Sequence, residues 1–158
     1  MATLQLYGKL GANVIGGEVS GDAAQMDYLS DTVRATLHNN TYVPNIDVDE
    51  AFTDATNELS TANGYTANGV ALASKTTSYN ATGNITTYSA AAFSWTAAGG
   101  SLVFRYVVFH DDTVSTGPPA KPLLGYIDVT GSGNFTLNDT LTFTVTPGGN
   151  GLWTATVT

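Results

Sequence analysis

The stretch that decides the fold is Leu102-Val103-Phe104-Arg105-Tyr106-Val107-Val108-Phe109, the longest dense apolar run in the chain. Only Arg105 interrupts it, and its apolar residues fall on both faces of an extended backbone. A strand that is apolar on both faces belongs inside a sheet that is covered on both sides. We therefore predict that this run is the central strand of the protein.

The neighbouring segments carry the two-residue period of half-buried strands. Val33, Ala35 and Leu37 fall on one face of residues 32–38, and apolar side chains alternate with threonine in residues 140–146. Gly, Pro and Asn turns separate such segments at the spacing of a β-sandwich or jelly-roll barrel. The pattern predicts an all-β fold, a β-sandwich that is jelly-roll-like.

The chain is short enough to form one domain, with 158 residues and a mass of 16.4 kDa. We place the jelly-roll-like β-sandwich domain at residues 26–158. An extended N-terminal strand or arm segment is predicted at residues 1–25, because its short apolar pieces are broken by glycine.

One short helix is predicted near residues 47–56. Asp47 fits the N-cap position and Glu50 follows three residues later, as in a capping box. The same carboxylates raise the question of a calcium loop, but an EF-hand needs glycine at its sixth position, where Phe52 stands. Helix capping is the better account, so no metal and no cofactor are predicted, and an irregular cation site near Asp47–Asp54 stays open.

Charge is scarce and acidic. Only 11% of the residues are charged, the net charge is −8, and there is no cysteine. The five Lys and Arg residues are scattered, whereas nucleic-acid binding needs them clustered. No stretch approaches the ~18 apolar residues of a membrane span, and the first residues lack the pattern of a signal peptide. We expect a protein made in a cytoplasm that binds neither nucleic acid nor membrane.

The best catalytic candidate is His110-Asp111-Asp112, a base beside two acids. A triad needs a nucleophile aligned with its base and acid, but adjacent residues of a strand point to opposite faces. No Gly-x-Ser-x-Gly elbow accompanies it. We interpret these residues as a polar strand end, and predict no enzyme and no catalytic residues.

The aromatic side chains admit three interpretations: a sugar-stacking platform, subunit contacts, or core. Tyr and Trp are enriched at protein interfaces, and aromatic rings dominate core energetics. The core is expected to take most of Phe93, Trp95, Phe104, Phe109, Phe143 and Trp153. For the tyrosines, the sugar-stacking platform and the subunit contacts both stay open.

From about Tyr28 onward, seven segments follow one another in an informative order. They are 29–37 (LSDTVRATL), 41–45 (TYVPN), 64–72 (GYTANGVAL), 104–108 (FRYVV), 121–128 (KPLLGYID), 133–136 (GNFT) and 151–157 (GLWTATV). An acidic stretch follows the second of these segments, 41–45. In this order the chain resembles a family of small β-rich structural proteins of tailed bacteriophages, of the capsid decoration or cement type.

The resemblance implies a virion protein that sits on the outer face of the capsid and bridges capsid subunits. It implies the major capsid protein as partner, a homotrimer, and no catalytic residues. We place the interface at Leu4, Leu6, Tyr7, Val14, Ile15, Tyr42, Tyr65 and Tyr79. The N-terminal segment is suited to adding strands to a neighbour's exposed sheet edge.

Three rival functions stay open at this point. A tail, neck or baseplate protein has the same β-rich composition. A glycan-binding, adhesin-like module would use exposed Tyr and Trp. An enzyme, such as part of a polysaccharide depolymerase, would need a cleft with several perturbed carboxylates, and acidic residues are concentrated only near Asp47–Asp54.

Overall fold

The computed structural model describes residues 4–7, 26–115 and 119–156, and every regular element in these ranges is a β-strand. The strands are β1 (Leu4–Leu6), β2 (Val33–His38), β3 (Val70–Ala71), β4 (Thr76–Asn80), β5 (Ile85–Ser89), β6 (Phe93–Thr96), β7 (Leu102–Phe104), β8 (Tyr106–Asp111), β9 (Leu123–Asp128), β10 (Phe135–Leu137), β11 (Thr142–Val145) and β12 (Trp153–Thr156). The prediction of an all-β fold is confirmed.

The largest sheet has five strands in the order β1-β9-β8-β2-β3, and every pair within it is antiparallel. Strand β8 stands in the middle, and all six of its residues are buried. The prediction that the apolar run supplies a central strand, covered on both sides, is confirmed for its second half.

Arg105 divides the predicted run into two strands. Its backbone N–H donates to the carbonyl of His38, and its guanidinium makes a two-pronged contact with Asp128, at 2.7 Å for the Nη2 atom. A partly buried charged side chain needs such a partner, and the chain bends at Arg105, at the start of the central strand. Strand β7 before it pairs with β10 in a separate sheet.

Three smaller antiparallel sheets complete the architecture: β10-β7, β11-β6 and β12-β5-β4. They face one side of the five-stranded sheet, and the first core lies between the two layers. The five-stranded sheet contributes Val33, Leu37, Val107, Phe109 and Leu124 to this core, and the smaller sheets contribute Phe93, Trp95, Phe104, Leu137 and Trp153. This two-layer arrangement is β-sandwich-like, and the finer jelly-roll assignment stays a prediction.

A second core covers the opposite face of the five-stranded sheet. The sheet contributes Tyr106, Val108, Leu123 and Tyr126, on the face that alternates with the first core. Residues 39–58, which we call the cover segment, lie over this face. Their buried members are Tyr42 and Ala55, with Phe52 packed against them.

The predicted helix near residues 47–56 is wrong, because the cover segment consists of turns and bridges. The carboxylate of Asp54 accepts hydrogen bonds from the N–H groups of Glu50 and Ala51, both at 3.0 Å. The segment is then tied to the sheet, since Phe52 N–H donates to the carbonyl of Lys121. These contacts, within the cover segment and with the loop before β9, use backbone groups that a helix would need for its own hydrogen bonds.

The N-terminal strand predicted around Leu4 and Leu6 is present as β1, which pairs with β9 at the edge of the five-stranded sheet. The following residue, Tyr7, also donates its N–H to the carbonyl of Leu124. Residues 1–3 and 8–25, the rest of the predicted arm, lie outside the described residues.

Candidate functional site

A short loop of the cover segment, residues 43–48, is organised around Asn45. The carbonyl of Asn45 accepts hydrogen bonds from the N–H groups of Val48 and Asp49, and its Oδ1 atom accepts one from Asp47. The N–H of Asn45 in turn donates to the Asp49 carboxylate at 3.0 Å. The loop, which we call the presentation loop, is thus held closed by its own side chains and backbone.

The presentation loop exposes three aliphatic side chains. Val43 is 75% exposed, Val48 63% and Ile46 40%. Isolated exposed aliphatic residues are common on protein surfaces, but three within six residues of one hydrogen-bonded loop form a local apolar surface. Such exposed apolar surface is characteristic of contacts with other proteins.

Two tyrosines anchor this loop to the second core. The Tyr42 hydroxyl donates to the Asp49 carboxylate at 2.8 Å, so the Tyr7 hydroxyl, 2.5 Å away, donates to Tyr42. Burial, followed by these contacts, raises the pKa of the Tyr42 hydroxyl far above its usual value, and burial does the same for Tyr7. Both phenols therefore stay protonated and the chain of donors stays intact.

The cover segment is strongly acidic. It contains five of the chain's 13 Asp and Glu residues and none of its Lys, Arg or His residues. Asp47 lies within the presentation loop and is exposed, and Asp49 closes it. The apolar side chains therefore project from a surface of negative charge.

Beneath the cover segment, His38 is completely buried and neutral. Its Nδ1 atom lies 2.8 Å from the carbonyl of Thr56, which can only accept, so Nδ1 carries the hydrogen. Its Nε2 atom then accepts from the Thr36 hydroxyl at 2.9 Å. Burial lowers the pKa of His38 to about 4, and its role is to complete the second core.

His110 lies on the same face and is covered by Phe52, whose ring stacks on the imidazole with centroids 3.9 Å apart. Its Nε2 atom lies 3.9 Å from the Oδ1 atom of Asp112, which is beyond hydrogen-bond reach. Burial lowers the pKa of His110 to about 3, so the ring is neutral near pH 7.

The carboxylate of Asp112 is held by three donors, so its role is structural. Arg34 Nε lies 2.7 Å and Lys121 Nζ 2.6 Å from its carboxylate oxygens, and Asn68 Nδ2 lies at 3.1 Å. Partial burial alone would raise its pKa, but the hydrogen bonds from Lys121, Arg34 and Asn68 outweigh it and hold the pKa at about 2. These contacts tie the ends of β2 and β8 to the loop before β9.

Asp111, between the two, points to the opposite face and is completely buried. Its Oδ1 atom accepts from the N–H of Thr113 at 2.8 Å, whereas Oδ2 is buried without a donor from the described residues. Burial and the neighbouring carboxyl group of Asp31 raise the pKa of Asp111. The pleat of the strand thus separates Asp111 from His110, as the sequence predicted for adjacent residues, whereas the carboxylate of Asp112 lies near the His110 imidazole.

The eight residues predicted at an interface fall in different environments. Tyr7, Tyr42 and Tyr65 are buried within the chain's own cores, so their rings are not available to a partner, and Tyr79 is 63% exposed on β4. Leu4 and Leu6 pack partly against the first core, and Val14 and Ile15 lie outside the described residues. Their place in an assembly stays a prediction.

Sequence reasoning missed Val43, Ile46 and Val48. A usable signal exists, because these aliphatic residues lie in a stretch with Pro44 and Asn45 that follows neither the helix nor the strand period. Apolar residues in a turn-forming stretch have no element through which to be buried. The sequence therefore contains enough information to predict that these three side chains are exposed.

The described residues contain no group of three or more His, Asp or Glu side chains placed to hold a metal ion. Among the residues that the structure describes, no helix has the length and apolar character to cross a membrane. No protein-family model, no curated protein and no solved structure matches this chain.

Proposed function

We propose that this chain is a structural protein of a tailed-bacteriophage virion, a capsid decoration or cement protein that binds the outer face of the shell. The observation that carries the proposal is the presentation loop, a hydrogen-bonded loop that holds Val43, Ile46 and Val48 out to solvent. The family resemblance of residues 28–158 implies the kind of partner that such a surface would contact.

The presentation loop is suited to binding because its hydrogen bonds already fix its conformation before it meets a partner. Full burial of a valine or isoleucine side chain is worth about 1.5–3 kcal/mol, and a loop already closed by hydrogen bonds loses little further conformational entropy on binding. A shell offers many identical sites, so a modest contact at each one accumulates over the whole particle.

The remaining surface fits the same role. The edge strand β4 is exposed along its length and consists of uncharged residues, Thr76-Thr77-Ser78-Tyr79-Asn80. Hydroxyl and amide groups form hydrogen bonds across a flat contact, and a contact made by such residues buries few charged groups. The negative net charge favours an exterior position, away from packaged DNA. The predicted partners are the major capsid protein and further copies of this chain in a homotrimer.

Quantitative mass spectrometry of purified virions tests the proposal. A copy number near that of the major capsid protein supports decoration of the whole shell. A number lower by about an order of magnitude indicates a tail, neck or baseplate position, and absence from virions overturns the structural function.

A glycan-binding module remains the candidate of a different class, and Tyr79 is the observation that favours it. Among the described tyrosines and tryptophans, this ring is the most exposed. Its hydroxyl donates to Asn84 at 2.8 Å, which leaves the ring faces for stacking. Glycan-array binding that is lost in Tyr79→Ala, with no protein in virions, would favour this candidate.

A further inference from the structure

We infer that the presentation loop docks into an apolar depression rimmed by Lys and Arg on the capsid protein, with Val43 and Val48 as its anchors. This inference rests on the proposed function and adds to it the surface that binds and the chemistry of the surface that receives it. The occupant is a folded protein surface with a basic rim.

The apolar part of the inference follows from geometry. Val43 and Val48 are the two most exposed aliphatic side chains among the described residues. They stand at the two ends of a loop whose centre, Asn45, is held by four hydrogen bonds. Two such side chains at fixed positions match a concave apolar site, where anchor residues contribute most of the binding energy.

The basic rim follows from charge. Asp47 lies between the anchors in the chain and is exposed, within a cover segment that has no Lys or Arg of its own. An acidic surface is repelled by an acidic partner and attracted by a basic one, so complementarity selects Lys and Arg.

The structure also accounts for why the loop holds its shape. Asp49 accepts from both the Tyr42 hydroxyl and the N–H of Asn45, and thereby joins the loop to the second core. A carboxylate that accepts two hydrogen bonds fixes the loop more firmly than a neutral acceptor would. Asp49 therefore acts as a positioning residue, and the contact with the partner falls to the valines and Asp47.

The experiment uses capsid shells assembled from the same phage without this protein, and measures binding of the full chain by cosedimentation. Val43→Asn and Val48→Asn are each expected to weaken binding about tenfold or more, because each removes an apolar anchor. Val103→Asn is the matched control, since Val103 is also exposed, at 41%, but lies on β7. Binding by this variant is expected to match the wild type within about twofold.

The charge is tested separately. Raising the salt concentration is expected to weaken binding of the wild type, because salt screens exposed charges. Asp47→Asn is expected to weaken binding about two- to fivefold at low salt and to flatten this salt dependence. Thermal unfolding of each variant confirms that it is folded.

The outcomes separate the two proposals. If the wild-type chain does not bind the shells, the proposed function is overturned and this inference falls with it. If the wild type binds and Val43→Asn and Val48→Asn bind equally well, the presentation loop is not the docking surface. If the valine variants lose binding but salt strengthens it, the apolar anchor stands and the basic rim is overturned.

Discussion

At the scale of single residues, the buried hydroxyl of Tyr42 is the most consequential polar group of the second core. It donates to Asp49 and accepts from Tyr7. Tyr42→Phe is expected to lower the free energy of unfolding by about 1–3 kcal/mol, because it leaves the Tyr7 hydroxyl buried without its acceptor. Urea denaturation measures the change.

Tyr79→Phe is the matched control for this prediction. It removes a hydroxyl that also makes a 2.8 Å hydrogen bond, but on an exposed strand. Its effect is expected to stay within about 0.5 kcal/mol. Equal effects of the two substitutions would show that the Tyr7–Tyr42–Asp49 chain contributes nothing specific.

Asp111 is a second residue whose environment has a measurable consequence. Its pKa is raised in the folded state by burial and by Asp31, so the folded protein binds a proton that the unfolded chain has released. Its contribution is therefore greatest below the unfolded pKa, near 4, and is lost as the pH rises through the folded value. Asp111→Asn is expected to be more stable than the wild type at pH 8, by about 1 kcal/mol or more.

The measurement is urea denaturation of both proteins from pH 5 to pH 8. Asp47→Asn, at an exposed site, serves as the control and is expected to follow the wild type. An Asp111→Asn variant that is less stable than the wild type at every pH would mean that the buried carboxylate has a stabilising partner.

The two buried histidines have the opposite pH dependence. Burial lowers the pKa values of His38 and His110 to about 4 and 3, so the unfolded chain binds protons that the folded protein does not. Their stabilising effect is complete above pH 6.5 and is lost as the pH falls, by about 2 kcal/mol for each histidine at pH 5.

Because Asp111 acts against this loss, the comparison is made in the Asp111→Asn background. Adding His110→Leu places an apolar side chain under Phe52 and is expected to remove about half of the decrease between pH 7 and pH 5. Denaturation at both pH values gives the four free energies. An unchanged decrease would assign the acid sensitivity to other groups.

At the scale of secondary-structure elements, the attachment of β1 depends on a glycine in β9. A Cβ atom at Gly125 would lie 2.6 Å from the backbone oxygen of Gln5 and 3.1 Å from a methyl group of Leu4. Gly125→Ala must therefore push β1 away from β9, at a cost of about 1–3 kcal/mol. We expect faster amide hydrogen exchange at Tyr7, whose N–H bonds to Leu124.

Gly149→Ala is the control for β1, because a Cβ atom at Gly149 would meet no heavy atom within 4 Å. It is expected to leave the exchange at Tyr7 and the free energy of unfolding unchanged within about 0.5 kcal/mol. If Gly125→Ala behaved in the same way, β1 would not be held in the register of the structure.

The elements also show how much of the fold the sequence could predict. The second half of the predicted central strand and β2 were predicted correctly because apolar periodicity reflects burial directly, whereas the division of the run at Arg105 was not predicted. The helix near residues 47–56 was predicted wrongly, because a carboxylate three or four residues along the chain satisfies backbone N–H groups in a turn as well as in a helix. Asp54 does so for Glu50 and Ala51.

The candidate site was less predictable than the fold, for a physical reason. Tyrosine carries both an apolar ring and a hydroxyl, so Tyr42 and Tyr65 suited an interface as well as a core. Only tertiary partners, Asp49 for Tyr42 and Glu58 for Tyr65, assign both of them to the interior. The exposure of Val43 likewise depends on a loop closure that no periodicity reveals.

At the scale of the whole molecule, the two cores share one sheet. Within β8, Val107 and Phe109 pack in the first core, and Tyr106 and Val108 pack in the second. Removing the cover segment would expose one face of the central strand to water, and loss of the smaller sheets would expose the other. The two layers are therefore expected to unfold together.

This cooperativity is testable because the two cores offer different probes. Both tryptophans, Trp95 and Trp153, lie in the first core, so their fluorescence reports its unfolding. The N–H groups of Phe52 and Leu123 make hydrogen bonds between the cover segment and the chain at the start of β9, so their exchange reports release of the cover.

We expect the free energy from hydrogen exchange at these two amides to equal that from fluorescence-detected urea unfolding. A value lower by more than about 2 kcal/mol would instead make the cover segment a separate unfolding unit. The presentation loop would then spend part of its time detached from its tyrosine anchors, and a partner would have to order it at a cost in affinity. Equal free energies mean that the chain presents Val43 and Val48 with the full rigidity of its sheet.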